Sequence, residues 1–218
     1  MNRLIGMIAL FGLLGCGENG STNTVSLGPL EAKFIYLEGD VTVFGAPAEL
    51  DMQVPKGALI QTASDSFAEI RISTGNIISL GPGTSLVWNF HFYTPQINLN
   101  GGNLAAVLTS LAENDSGERL RLVTPTTVAG VRGTSFFAQI AKGGENTYFC
   151  LCNGSILLQN GEEWMEVQAA EHAAFDFTKR DGEVKMEVAE LLYHDNDSMN
   201  TLASKIGHEI DWTEPQSH

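Results

Sequence analysis

From Lys33 onward the chain is divided into short runs by Gly, Pro and Asn, and within the runs apolar residues alternate with polar ones. In Phe67-Ala68-Glu69-Ile70-Arg71-Ile72 the alternation holds from Ala68, the period-two pattern of a half-buried strand. Turn signals stand at Gly57, Thr74-Gly75, Gly81-Pro82-Gly83, Gly101-Gly102, Gly130, Gly133 and Asn153-Gly154. Punctuation this regular leaves no space for a long crossover helix. It predicts an all-β fold, a sandwich or a short solenoid-like stack of rungs, with the solenoid-like form preferred.

Composition narrows the function. A chain of 218 residues that is 43% hydrophobic supports one medium domain with attachments. Its formal net charge of −14 argues against nucleic acid as a partner, because phosphate binding rests on clustered Lys and Arg. From Asn160 onward there are 14 Asp and Glu against 4 Lys and Arg. That acidic region reads as solvated surface, or as a face that attracts a cation or a partner.

The first residues read as an address. Arg3 precedes an apolar run from Leu4 to Leu14 that is shorter than the roughly 20 residues needed to cross a bilayer. It ends in Leu13-Leu14-Gly15-Cys16, which resembles the lipobox of bacterial lipoproteins, although Leu14 stands where a small residue is preferred. The resemblance implies a signal peptide over 1–15, acylation of Cys16 and a membrane contact made through that lipid. Gly17, rather than Asp, after the Cys implies the outer membrane and its periplasmic face. Residues 16–32 are rich in Gly, Ser, Thr and Asn and read as a flexible tether.

One segment carries a family resemblance. Thr124-Pro125-Thr126-Thr127-Val128-Ala129-Gly130-Val131-Arg132-Gly133-Thr134-Ser135-Phe136 is similar to the signature of the FecR-domain family. Gly39-Asp40-Val41-Thr42-Val43, Gly57-Ala58-Leu59-Ile60-Gln61-Thr62, Ser79-Leu80-Gly81-Pro82-Gly83-Thr84 and Gly101-Gly102-Asn103-Leu104 resemble further elements in family order, so the domain is expected over 33–168. The resemblance implies a non-enzymatic periplasmic β module that binds a small ligand or an envelope protein in signalling. The namesake relays an iron-uptake signal to a sigma factor, a role the quoted residues do not carry across. Within the signature Pro125 holds Thr124 extended, while Gly130 and Gly133 permit turns. Arg132 and Thr134 read with them as structural, Arg132 pairing a carbonyl or carboxylate at a turn.

The chemistry lies elsewhere. In Thr147-Tyr148-Phe149-Cys150-Leu151-Cys152-Asn153-Gly154-Ser155-Ile156-Leu157-Leu158-Gln159 the Asn-Gly pair predicts a hairpin. That hairpin sets Cys152 opposite Ser155 and Cys150 opposite Leu157, with Phe149, Leu151, Ile156 and Leu158 on the core face and both thiols on the other. Two same-face residues of an extended strand sit about 6.5–7 Å apart at Cα, at or beyond disulfide range. Two such thiols suit one soft metal ion instead, and His172 and His194 supply the donors that would complete a four-coordinate sphere of two Cys and two His for Zn. The other reading keeps the Cys as small inert apolar residues and the His on the surface. No G-x-S-x-G, H-E-x-x-H, P-loop or G-x-G-x-x-G occurs, in keeping with a protein that is not an enzyme. Trp88-Asn89-Phe90-His91-Phe92-Tyr93 reads as strand packing rather than a ligand platform.

Residues 169–207 are expected to form a hairpin, turned at Asp181-Gly182, and a short helix. Asp197-Ser198 would cap the helix, Met199, Leu202 and Ile206 would form its apolar stripe, and Gly207 would end it. A disordered tail is expected over 208–218.

Overall fold

The computed structural model describes residues 31–90, 95–109, 111 and 120–216. The signal peptide over 1–15, Cys16, nearly all of the tether, and His91, Phe92 and Tyr93 lie outside the described residues. The chain passes through β1 (Ala32–Glu38), β2 (Val41–Val43), β3 (Ala46–Pro47), β4 (Ala58–Thr62), β5 (Phe67–Ile72), β6 (Asn76–Leu80) and β7 (Ser85–Phe90). There follow β8 (Pro95–Leu108), β9 (Leu120–Val123), β10 (Val128–Ile140), β11 (Asn146–Asn160), β12 (Glu163–Ala169), β13 (Ala173–Arg180) and β14 (Glu183–Ala189). Helix α1 (Asn196–Ser204) comes last. Among the described residues the fold is all-β with one short helix near its C-terminal end.

All 14 strands among the described residues belong to one sheet, which bends over on itself because three long strands serve two layers. In the first layer β3, β2, β4 and β7 lead to the opening half of β8, then to β9, the opening residues of β10, the closing half of β11, and β12. In the second, β1, β5 and β6 lead to the closing halves of β8 and β10, the opening half of β11, β13 and β14. One core fills the space between. Ile60, Leu86, Trp88, Ile97 and Leu122 from the first layer join Phe34, Ile70, Ile78, Phe136, Phe149 and Phe177 from the second. A solenoid would stack its rungs in parallel, whereas the parallel pairing among the described strands is confined to three residue pairs of β8 and β9. The sandwich form therefore holds, and Trp88 is part of its packing.

The bends explain where the sequence reading goes astray. Gly102 (φ 74), Gly133 (φ 85) and Gly154 (φ 113) sit inside β8, β10 and β11 where each strand passes from one layer to the other. A glycine within a strand marks a bend or bulge as readily as a turn. The hairpin expected at Asn153-Gly154 is absent. β11 is continuous there, so Ser155 pairs with Gln168, and Cys150 pairs with Phe137 and Ala174 rather than Leu157. At Gly154 a Cβ atom would lie 2.6 Å from the Gly133 carbonyl oxygen, so the close approach of β10 requires the missing side chain. Gly130 makes no turn either, and pairs within the ladder with Leu157 and Arg121.

The C-terminal region follows expectation at its hairpin and departs from it beyond. Arg180 pairs with Glu183, and Asp181 (φ 51) and Gly182 (φ 87) both take the positive φ of a type I′ turn. Asp195, not Asp197, caps α1. Its carboxylate accepts the Ser198 N–H at 2.9 Å while the Ser198 hydroxyl accepts the Asp195 N–H at 3.0 Å. Met199 and Leu202 are buried, Ile206 partly so, and Gly207 (φ 70) follows the helix. The segment expected to be disordered from His208 is docked as far as Gln216. The Asn153 amide donates to the carbonyls of Asp211 and Glu214 (2.7 and 2.9 Å), and its oxygen accepts the Gln216 N–H. A polar tail takes a fixed course here because one buried Asn satisfies its backbone.

Candidate metal centre

The outer face of the second layer, turned away from the main core, carries a second apolar cluster. Ile77, Val107, Phe137, Tyr148, Cys150, Cys152 and Ala174 form its floor, and Met199, Leu202, Ala203 and Ile210 cover it. The two thiols thus lie on the non-core face of β11, as the alternation predicts, but buried beneath α1 and the tail rather than exposed. A bulge aims them. Ser135 pairs with Asn153 and Phe136 with Leu151, which leaves Cys152 as the extra residue. Cys152 and Asn153, though adjacent, consequently both turn their side chains to the outer cover.

The structure brings Cys150, Cys152, His172 and His194 together, with their four donor atoms all within 4.8 Å of one another. Cys150 Sγ lies 3.4 Å from His172 Nδ1, and Cys152 Sγ lies 3.2 Å from His194 Nε2. In a tetrahedral zinc site with two Cys and two His ligands, the usual bond lengths give edges of about 3.3–3.8 Å, so the cluster needs only a small contraction. Three stretches of chain deliver the donors, β11 supplying both thiols. His172 stands just ahead of β13, where its N–H donates to the Cys152 carbonyl at 3.0 Å. His194 lies between β14 and α1. Backbone strain marks both approaches, since His172 (φ 27) and Tyr193 (φ 70) take left-handed conformations that side chains resist.

Outer partners fix both rings. His194 Nδ1 is 2.9 Å from the Leu192 carbonyl, which can only accept, so Nδ1 carries the proton and Nε2 presents a lone pair to Cys152. Asn196 donates its amide N–H to Glu171 (3.0 Å), which turns its oxygen to His172 Nε2 at 2.5 Å and leaves Nδ1 to face Cys150. A ligating histidine whose other N–H is held by a carbonyl or carboxylate-linked group is the usual outer arrangement of a metal site. Rings enclose the pair. Phe137 stacks on His194 at 4.6 Å and Trp212 on His172 at 5.2 Å.

The two thiols are pushed in opposite directions. The hydrogen bond from Cys152, followed by that from His172, draws Cys150 down to about 4 against the opposing effect of burial. Burial pushes Cys152 up. For His172, burial acts downward, but hydrogen bonds to Cys150 and Asn196 outweigh it and raise the ring. Burial also raises Tyr148, whose hydroxyl accepts the Leu192 N–H at 3.0 Å.

Cys150, His172 and Asn196 follow the order of a thiol nucleophile, base and orienting amide. A nucleophile must reach its substrate, however, and Cys150 has no exposed surface. A second Cys–His pair standing beside the first is redundant for that chemistry and complete for a four-coordinate ion.

The remaining motif residues lie apart from this centre. Thr124 closes a turn between β9 and β10, its N–H donating to the Thr127 carbonyl at 2.9 Å, with Pro125 inside it. Arg132 reaches Glu166 at 3.3 Å, and the Thr134 hydroxyl donates to the Asn153 carbonyl. Asn196, Glu171, Asn153 and Trp212 were not among the candidates from sequence. The capping pattern around Asp195 offered a signal for Asn196, whereas Trp212 sits in a polar stretch with none.

Comparison with known proteins bears on the scaffold. Residues 58–157, from β4 through most of β11, match the family described as FecR protein. The match includes both thiols and ends before both histidines. A search of the curated proteins gives no match. Two crystal structures of a candidate anti-sigma factor from Parabacteroides distasonis ATCC 8503 are similar, each at 14% identity and a TM-score of 0.48 over 60% of this chain. The chain spans 59% of the length of that relative.

Proposed function

We propose that this chain is a non-enzymatic, lipid-anchored module of the cell envelope that binds a soft or borderline divalent ion, zinc foremost, through Cys150, Cys152, His172 and His194. It presents its β domain to an envelope protein partner from the periplasmic face of the outer membrane. One observation carries the metal reading: four donors from three separate stretches of chain converge within 4.8 Å, with both histidines already turned by outer partners. Inert cysteines and surface histidines would have no reason to share those orientations. The cysteine pair lies inside the stretch that matches the FecR family and the histidine pair beyond it, so the centre joins that stretch to the C-terminal region. When bound, the ion would organise structure, since all four positions are filled by protein donors.

Elemental analysis of the purified full chain is expected to show one zinc per chain, lost in Cys150→Ser/Cys152→Ser. Metal-free protein with two freely reactive thiols after exposure to zinc would refute the reading. Anchoring rests on the lipobox resemblance at Cys16. Among the described residues no helix is long and apolar enough to cross a membrane. Labelling with palmitate should disappear in Cys16→Ala, and its persistence there would remove the anchor.

A further inference from the structure

We infer that the ion latches the C-terminal segment, residues 194–216, over the outer face of the second layer, and that its loss uncovers that face. The inference rests on the metal reading above. Cys150, Cys152 and His172 belong to the sheet and its β12–β13 connection, whereas His194 opens the segment that carries α1 and the tail. The sheet alone therefore offers three donors, and the fourth arrives only when the segment is seated. The outer partner of His172 also comes from the segment, through Asn196, as does the ring of Trp212 stacked on it. Seating and coordination are thus two descriptions of one arrangement, and any free energy of binding the closed form alone is free energy of closure.

The rest of the seat is too polar to act as an ordinary core. Lys205 pairs with Glu69 and its carbonyl accepts from Arg71, while Asn153 holds the last residues through their backbone. Apolar contact comes from one short helix, chiefly Met199, Leu202 and Ala203, and from Ile210, Ile206 and Trp212 beyond it. What it hides is sizeable: Ile77, Val107, Phe137 and Tyr148 would meet solvent together. A segment with modest contacts of its own, over an apolar floor and tied by one ligand, is placed at the low-stability end of a fold.

Hydrogen exchange of the full chain with zinc and with chelator tests the latch. Zinc is expected to slow amides of α1 and residues 208–216 by roughly 5–150-fold, leaving unchanged those of β4 and β7 that exchange by local fluctuation rather than global unfolding. Because coupling is reciprocal, loosening the seat at a residue that touches no ion must weaken zinc binding, at most by the same factor. Asn153→Ala serves for this, and Lys205→Met repeats it should Asn153→Ala fail to fold. Zinc bound stoichiometrically without added protection of the segment would overturn the latch and leave the metal reading standing. Equal protection of every strand would overturn it as well. Absence of zinc binding would overturn both, and the elemental analysis identifies that case.

Discussion

The two faces of the second layer share every strand and differ in almost everything else. The inner face is covered by the first layer, which the same chain supplies through β8, β10 and β11 as they bend across. Its residues are aliphatic and aromatic, with Phe136 stacked on Phe149 at 5.6 Å, and each is fixed by the ladder that carries it. The outer face is covered by the last stretch of chain, over two thiols and beside two histidines and one buried Asn. Phe149 and Cys150 are neighbours in β11 that belong to different faces. The first face accounts for the fold, and the second carries what the fold could be asked to do.

The sharpest way to break that distinction is to alter one face at a time. Phe149→Ala should cost about 3–5 kcal/mol in chemical denaturation, by loss of transfer energy and a cavity the bent strands cannot close. The loss should be equal with and without zinc. A loss that vanished with chelator would mean the faces are not independent.

Chelation is the complementary test. At a free zinc concentration a thousandfold above Kd, bound ion stabilises by about 4 kcal/mol, so removing it should lower Tm in the parent chain and leave Cys150→Ser/Cys152→Ser unmoved. An equal shift in the variant would place the effect of chelator elsewhere.

Gly154→Ala sharpens the comparison from the bend between layers. Its φ of 113 and the 2.6 Å approach to the Gly133 carbonyl predict a loss of roughly 1–3 kcal/mol, read as a shift in the denaturation midpoint. A neutral result would show that β10 and β11 separate easily there. Glu166→Gln should matter least. Its contact with Arg132 at 3.3 Å is half exposed, and removing it should change stability by less than about 1 kcal/mol in the same assay.

These expectations trace back to what local sequence can encode. Alternation in Phe67–Ile72 and around Phe149 is a property of neighbours along the chain, and it marked the strands and the core face of β11 correctly. Asp181-Gly182 likewise closes its hairpin because the turn is local. Asn153-Gly154 carries an equally strong local signal and makes no turn, since β10 packs against the glycine and distant carbonyls occupy the asparagine. The donor set was legible by residue type, as two thiols on one face with two histidines to follow. Asn196, Glu171 and Trp212 were not, because their roles exist only once the tail has crossed back over β11.

Asn-Gly in a pliable peptide is a site of chemical ageing. The unobstructed glycine amide attacks the asparagine side chain, ammonia leaves, and the succinimide opens to aspartate or isoaspartate. In the closed protein Asn153 lies in an extended strand with its amide group committed to three carbonyls, a posture from which the ring cannot form. Each molecule therefore keeps its asparagine while that clasp holds and forfeits it when the clasp is long undone. A carboxylate at this position would have no amide left to offer those carbonyls, so the record of opening would also hinder reclosing.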